Sequence, residues 1–171
     1  VATAGKRDVL LTPETLLRPR EAVPDFTLCA ALLKKDRFDL VLEKACELGV
    51  ARIQPVLTRR CVADKLNLER ARAILTEAAE QCARTALPEI AAPVKLEALL
   101  KGWPDARALF FADESGGDPA AAAFTAYSGP VALLTGPEGA DRLALGPRIL
   151  RGETAAIAAT ALWMGLAGDW K

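Results

Sequence analysis

Compact apolar runs alternate with amphipathic stretches along this chain, and the alternation predicts the order of its strands and helices. Phe26 to Leu33 is an almost unbroken apolar run of the kind that fills a strand buried on both faces. Apolar residues then recur at helical spacing, Phe38, Val41, Leu42, Ala45 and Cys46, with Asp36 as the expected N-cap and Gly49 where a C-terminal glycine belongs. Ala51 to Leu57 reads as the next strand. A second helix is expected from Asn67 to about Thr85, turning Leu68, Ala71, Ile74, Leu75, Ala78 and Cys82 inward and closed by Pro88. A short helix near Leu96 to Leu100, a strand Ala108 to Ala112, an acidic loop Asp113 to Asp118 and a helix Ala120 to Tyr127 follow. Val131 to Thr135 then enters Gly136-Pro137-Glu138-Gly139, Leu143 to Leu145 enters a second glycine-proline loop, and the last helix runs from about Glu153 to Leu166.

Strands alternating with helices argue for a parallel α/β sheet with helices on both faces and ligands at the carboxyl ends of the strands. The first residues differ. A short apolar stretch and Val9-Leu10-Leu11 flank the turn Gly5-Lys6-Arg7-Asp8, which reads as a β-hairpin. A lone hairpin is marginal in water, so residues 1–24, with Pro13, Pro19 and Pro24, are expected to be the tail and linker of an N-terminal β-domain, and residues 25–171 the main domain.

Composition narrows the chemistry. With 51% hydrophobic residues in 171, the chain can bury a full core. Basic and acidic side chains balance at 22 each, so bulk charge announces no polyanionic partner, although residues 1–72 hold 14 basic against 10 acidic groups, with doublets at Lys34-Lys35 and Arg59-Arg60. A solvated mixed surface explains those doublets equally well. The absence of histidine removes the commonest general base and every histidine-containing zinc site. Cys29, Cys46, Cys61 and Cys82 form no C-x-x-C pair, so reduced thiols and no metal are expected. No apolar run is long and charge-free enough to span a bilayer and no signal-peptide pattern opens the chain, which reads as cytoplasmic with no membrane partner.

The two glycine-proline loops carry the candidate chemistry. Gly136-Pro137-Glu138-Gly139 follows a strand directly, where glycine lets backbone approach a ligand and proline stiffens the turn; by itself it is also an ordinary tight turn. No lysine-serine or lysine-threonine pair follows and no G-x-G-x-x-G is present, which disfavours phosphate-cradling nucleotide folds. The second loop, Leu145 to Ala155, sets Ile149 and Leu150 between Arg148 and Arg151, so its apolar residues either wall a pocket or plug the core.

Taken together, L-L-T-G-P-E-G and L-G-P-R-I-L-R-G-E-T-A resemble the signature of the ribosomal RNA small subunit methyltransferase E family, 16S rRNA uracil-N3 methyltransferases of the knotted SPOUT superfamily. Lys34-Lys35-Asp36-Arg37 leading into Glu43 to Val50, Ile53-Gln54-Pro55, and Glu77 to Cys82 with Arg84 and Pro88 are similar to earlier segments of that family, so the likeness covers about Leu28 to Trp163. The resemblance implies a mostly parallel sheet with a C-terminal trefoil knot, a preceding PUA-like β-barrel of which only a remnant is present, a homodimer, and S-adenosyl-L-methionine as cofactor. It places the cofactor on Leu134, Thr135, Gly136, Pro137, Glu138 and Gly139 and on Leu145, Gly146, Ile149 and Leu150. Arg151, Glu153 and Thr154 would face the target, with Gln81 and Arg84 as neighbours supplied by either chain of the dimer. Gly152 stands where threonine is expected to be common in the family.

Uracil N3 carries a proton, and methylation there spreads negative charge onto the flanking carbonyl oxygens, which an arginine could stabilise: Arg151 first, Arg84 second. Glu153 is either the base, for which its pKa would need raising, or a first-turn acid favoured by the helix dipole. Other readings are a SPOUT enzyme acting on a ribose or guanine, and a non-catalytic RNA-binding protein of ribosome assembly. One conflict remains. Parallel neighbouring strands need a crossover of roughly a dozen residues, yet only a handful separate Thr135 from the next strand, so the parallel reading leads to the expectation of a longer connector, with residues lost after Gly139.

Overall fold

The structure, a computed structural model, describes residues 2–61, 63–113, 116–136 and 141–170. In chain order its elements are β1 (Thr3–Ala4), β2 (Val9–Leu10), β3 (Phe26–Ala31), α1 (Lys35–Glu47), β4 (Arg52–Leu57), α2 (Leu68–Gln81), β5 (Glu89–Ile90), β6 (Val94–Lys95), α3 (Leu96–Lys101), β7 (Ala108–Ala112), β8 (Asp118–Pro119), α4 (Ala120–Ala126), β9 (Val131–Thr135), β10 (Asp141–Ala144) and α5 (Gly152–Leu166). The expected α/β class holds. β1 and β2 pair as the antiparallel hairpin read from the sequence, and the other strands form one sheet ordered β5-β4-β3-β9-β7-β10-β8, with β6 also on β4 and every pairing parallel.

The two faces are covered unequally. Alternate residues Phe26, Leu28 and Ala30 of β3 and Val131 and Leu133 of β9 pack against Val41, Leu42, Leu75, Phe124, Ala159 and Trp163 from α1, α2, α4 and α5. Their neighbours Cys29, Ala132 and Leu134 point the other way, onto Leu96 and Leu99 of α3 and onto Trp103. The central strands are buried on both faces, which is why they read as unbroken apolar runs.

Local chemistry accounts for most boundaries. The Asn67 side chain accepts from the Arg70 backbone N–H at 3.0 Å, the expected N-cap of α2. Gly49, at φ 94°, ends α1 in a Schellman motif in which Val50 N–H reaches the Ala45 carbonyl. Two expectations are corrected. α1 begins at Lys35 with Lys34 as its N-cap, leaving Asp36 in the first turn, and α2 stops at Gln81 because Ala83 adopts φ 58°. β5, β6 and β8, two residues each, are too short to show a period in sequence.

The strand order changes the premise of the crossover conflict. The two strands run parallel but are not neighbours, since β7 lies between them. Both Asp141 and Leu133 are level with Phe110, so β10 starts level with the middle of β9, above its base. Two strand spacings and two residues of rise put Thr135 and Asp141 roughly 12 Å apart, and the longer connector expected after Gly139 lies outside the described residues. Pro137, Glu138 and Gly139 lie outside the described residues.

Candidate active site

The carboxyl ends of β3, β4, β7, β9 and β10 open into a cleft of about 360 Å³, inside the roughly 300–1,000 Å³ typical of small-molecule sites. Its floor is apolar: Ala30, Ala31 and Leu32 leaving β3, Phe111 and Ala112 of β7, and Ala155 and Ala156 of α5. Thr135 and Gly136 come from the end of β9, and the whole turn Ala144 to Leu150 forms one wall. Gly136 has φ 146°, and a Cβ there would lie 2.7 Å from the Ala31 Cβ, so only glycine lets β9 leave the sheet beside β3. Gly146, at φ 148°, meets nothing within 4 Å and leaves its backbone facing open space. Ile149 is 74% exposed although apolar, and it lines the cleft, which decides between pocket wall and core plug in favour of the wall.

The residues nominated from sequence divide. Thr135, Gly136, Leu145, Gly146, Ile149 and Leu150 line the cleft, whereas Leu134 points to the opposite face of the sheet beneath it. Arg151 is the N-cap residue of α5, exposed and without an acidic partner among the described residues. Glu153 is buried in the first turn of α5, where Arg37 Nη1 donates to its Oε1 at 2.8 Å, so its carboxylate ties α5 to α1. Thr154 is exposed on the next position. A Cβ on Gly152 would come within 3.2 Å of the flexible end of Leu33.

Gln81 and Arg84 do not reach the cleft of their own chain. Arg84 is instead a second cap on α1. Its guanidinium donates to the carbonyls of Cys46 at 2.7 Å and Val50 at 2.9 Å and pairs with Glu21 at 3.1 Å, with its side chain 6% exposed. Sequence reading passed over Ala31, Leu33, Phe111 and Cys61 as site residues; each lines the cleft. Their signal was weak because small and apolar residues at strand ends look the same whether they floor a ligand site or fill a core.

At the opposite, amino-terminal end of the sheet Asp25 accepts from Arg107 and Arg52. Burial by itself would raise Asp25, but the hydrogen bonds and charges of the two arginines outweigh it and hold the carboxyl below its ordinary value. Burial pushes the Cys29 thiol up to about 12, against the opposing charge of Arg107, and raises Cys46. These thiols are protonated packing groups.

A pocket at the carboxyl ends of a parallel sheet, floored by small residues and walled by a glycine-proline turn, is a cofactor-type site, and residues 19–141 match the RNA methyltransferase domain family. The chain belongs to this family. Among relatives of this RNA methyltransferase domain, the ribosomal RNA small subunit methyltransferase E of Rickettsia conorii is 27% identical, over 92% of this chain and 71% of its own length. The protein of the same name from Synechocystis is 32% identical, over 86% of this chain and 55% of its own length. The solved structure of a ribosomal RNA small subunit methyltransferase E from Neisseria gonorrhoeae, bound to S-adenosyl methionine, superposes with a TM-score of 0.74 at 28% identity, covering 85% of this chain and 68% of that one. The chain thus spans a little over half to about seven tenths of the length of these relatives.

Proposed function

We propose that this domain transfers a methyl group from S-adenosyl-L-methionine to uracil N3 at a specific uridine of 16S rRNA in the small ribosomal subunit, as a cytoplasmic enzyme. The observation that carries the reading is the cleft, whose Gly136 and Gly146 leave backbone uncovered beside an apolar floor in a chain related to ribosomal RNA small subunit methyltransferases E. The fit to the cofactor is direct: an apolar floor and Ile149 suit a flat base, and bare strand-end backbone suits its polar groups. When bound, the cofactor supplies an electrophilic methyl group.

The remaining work falls to the chain's own residues. Thr135, Gly136 and the turn Leu145, Gly146, Ile149 and Leu150 would hold the cofactor, with Pro137, Glu138 and Gly139 proposed alongside them. Arg151, at the start of α5 and without an acidic partner among the described residues, would stabilise the charge that develops on the uracil carbonyl oxygens as the N3 proton leaves. Glu153 is read as the anchor that sets where α5 begins, and therefore where Arg151 stands, with the N3 proton passing to solvent. Thr154 is kept as a contact to the target.

The parallel order β9-β7-β10, with so few residues between Thr135 and Asp141, supports a trefoil knot in the C-terminal segment, and the exposed β1–β2 hairpin with its extended linker supports a remnant of an N-terminal PUA-like barrel in residues 1–24. α5 supports a homodimer, because apolar residues lie on its outer side as well as its inner one.

The reading is tested by calorimetry with S-adenosyl-L-methionine and by nucleoside analysis of 30S subunits or 16S rRNA after incubation with labelled cofactor. Micromolar binding and 3-methyluridine are expected; no saturation at millimolar cofactor, or methylation of a ribose or a guanine, overturns it. Arg151→Ala should lower methyl transfer roughly 100-fold or more while cofactor affinity changes little, the pattern of a group acting mainly in the transition state.

A further inference from the structure

Two arginines on the wall of the cleft meet no acid among the described residues. Arg60, in the segment after β4, and Arg148, in the turn after β10, both line the cleft and are exposed. Arg37, Arg52, Arg59, Arg70, Arg84 and Arg107 each meet a carboxylate; among the described residues Arg60 and Arg148 meet none. Asp113, the acid among the lining residues, is engaged elsewhere. In a chain whose 22 basic and 22 acidic groups cancel, this is a local positive excess aimed at one opening.

An anion at this opening could be a carboxylate of the cofactor or a phosphodiester of the RNA, and the topology separates them. β3, β9 and β7 lie between β4 and β10, so the strands after which the two arginines stand are four spacings, or roughly 19 Å, apart. A polynucleotide crossing the cleft offers phosphates along its length to arginines that enter from two separate strand ends, where the cofactor offers a single carboxylate. The planar guanidinium fork suits a phosphodiester, and exposure leaves each side chain free to meet one.

We propose that Arg60 and Arg148 are phosphodiester contacts that seat the RNA strand across the mouth of the cleft, one on each side of the nucleotide presented to the cofactor. This rests on the RNA methyltransferase reading above. They are positioning residues and take no part in the chemistry. Because both are exposed, replacing them leaves the fold intact.

The test uses the whole chain, titrated into a labelled single-stranded 16S rRNA fragment across a salt series, with cofactor calorimetry on the same samples. Arg60→Gln and Arg148→Gln are each expected to loosen RNA about three- to tenfold at 0.1 M-class salt and to lower the salt slope by about 0.7. Cofactor affinity should change less than RNA affinity, since both side chains are exposed. Arg72→Gln, an exposed arginine of α2 outside the cleft, should change none of these. Loss of cofactor affinity with RNA binding unchanged would assign the arginines to the cofactor and overturn the proposal. So would an unaltered salt slope, or wild-type chain that binds no RNA. Failure of the wild-type chain to bind cofactor would instead sink the functional reading, and the RNA titration would still report on the arginines.

Discussion

Ala83 sits at φ 58° just past the end of α2, in the left-handed conformation that costs a residue with a Cβ roughly 1–2 kcal/mol. The conformation is enforced by a Schellman motif in which Ala83 N–H reaches Glu80 O and Arg84 N–H reaches Ala79 O, the arrangement that Gly49 supplies for α1. Ala83→Gly should therefore raise stability by about 0.5–1 kcal/mol, part of the relief being offset by the entropy of the more flexible unfolded chain. Urea unfolding decides it, and a loss of stability would mean that the Ala83 methyl matters more than its backbone. Arg84, one residue on, caps α1 with two hydrogen bonds. Arg84→Met should cost about 1–3 kcal/mol in the same experiment with cofactor affinity unchanged, because it strands the carbonyls of Cys46 and Val50. Gly136→Ala is expected to do the reverse of a neutral change on both axes: the added Cβ meets Ala31 at 2.7 Å in a backbone region reserved for glycine, costing about 1–3 kcal/mol of stability and weakening cofactor binding.

At the scale of elements, α5 is the one whose sequence and surroundings disagree. Apart from Glu153, Thr154 and Thr160 it holds only apolar residues and glycine, a composition suited to a helix covered all round. Ala156, Ala159, Trp163 and Met164 face the core, yet Ala158 and Gly165 are exposed and Ala161 and Leu162 only half-buried. If a second copy covers that side, light scattering should report a dimer at micromolar concentration, and Ala158→Glu should raise its dissociation constant at least roughly tenfold by placing an unpaired charge in the contact. A monomer in the unaltered chain would remove the dimer from the proposed function. The sequence could place α5 and its apolar character; it could not separate a core helix from an interface helix, since both are apolar for the same reason.

At the scale of the molecule, the sheet carries its charge chemistry at one end and its cleft at the other. Asp25, held by Arg107 and Arg52, joins three strands at their amino-terminal ends. Its pKa is lower folded than the 3.8 of the free group, so the unfolded chain binds the proton more readily, and the linked stability is complete above that value and is lost as pH falls through the lower folded one. The carboxylate is half exposed, so the effect is screened. Asp25→Asn should flatten the acid limb of a stability profile below about pH 4 and leave the profile's shape near neutrality unchanged; an identical acid limb would show that the cluster is energetically silent.

How much was legible from the chain follows from what each feature depends on. Strands such as Ala108 to Ala112 and Val131 to Thr135, the Asn67 cap and the Gly49 stop were readable because burial on both faces, capping and positive φ are demands on single residues or short runs. The backbone role of Gly136 was legible for the same reason, and Thr135 and Gly136 of that motif line the cleft. Tertiary structure alone decided the rest. That Arg84 caps α1 and Glu153 meets Arg37 depends on residues 34 or more positions away, and no local pattern encodes such a meeting. The placement of β7 between β9 and β10, with Asp141 level with Leu133, is a property of the register of the whole sheet. The isolation of Arg60 and Arg148 from every acid among the described residues is likewise a fact of three-dimensional placement, because in the chain both stand among charged and apolar neighbours like those of any other surface arginine.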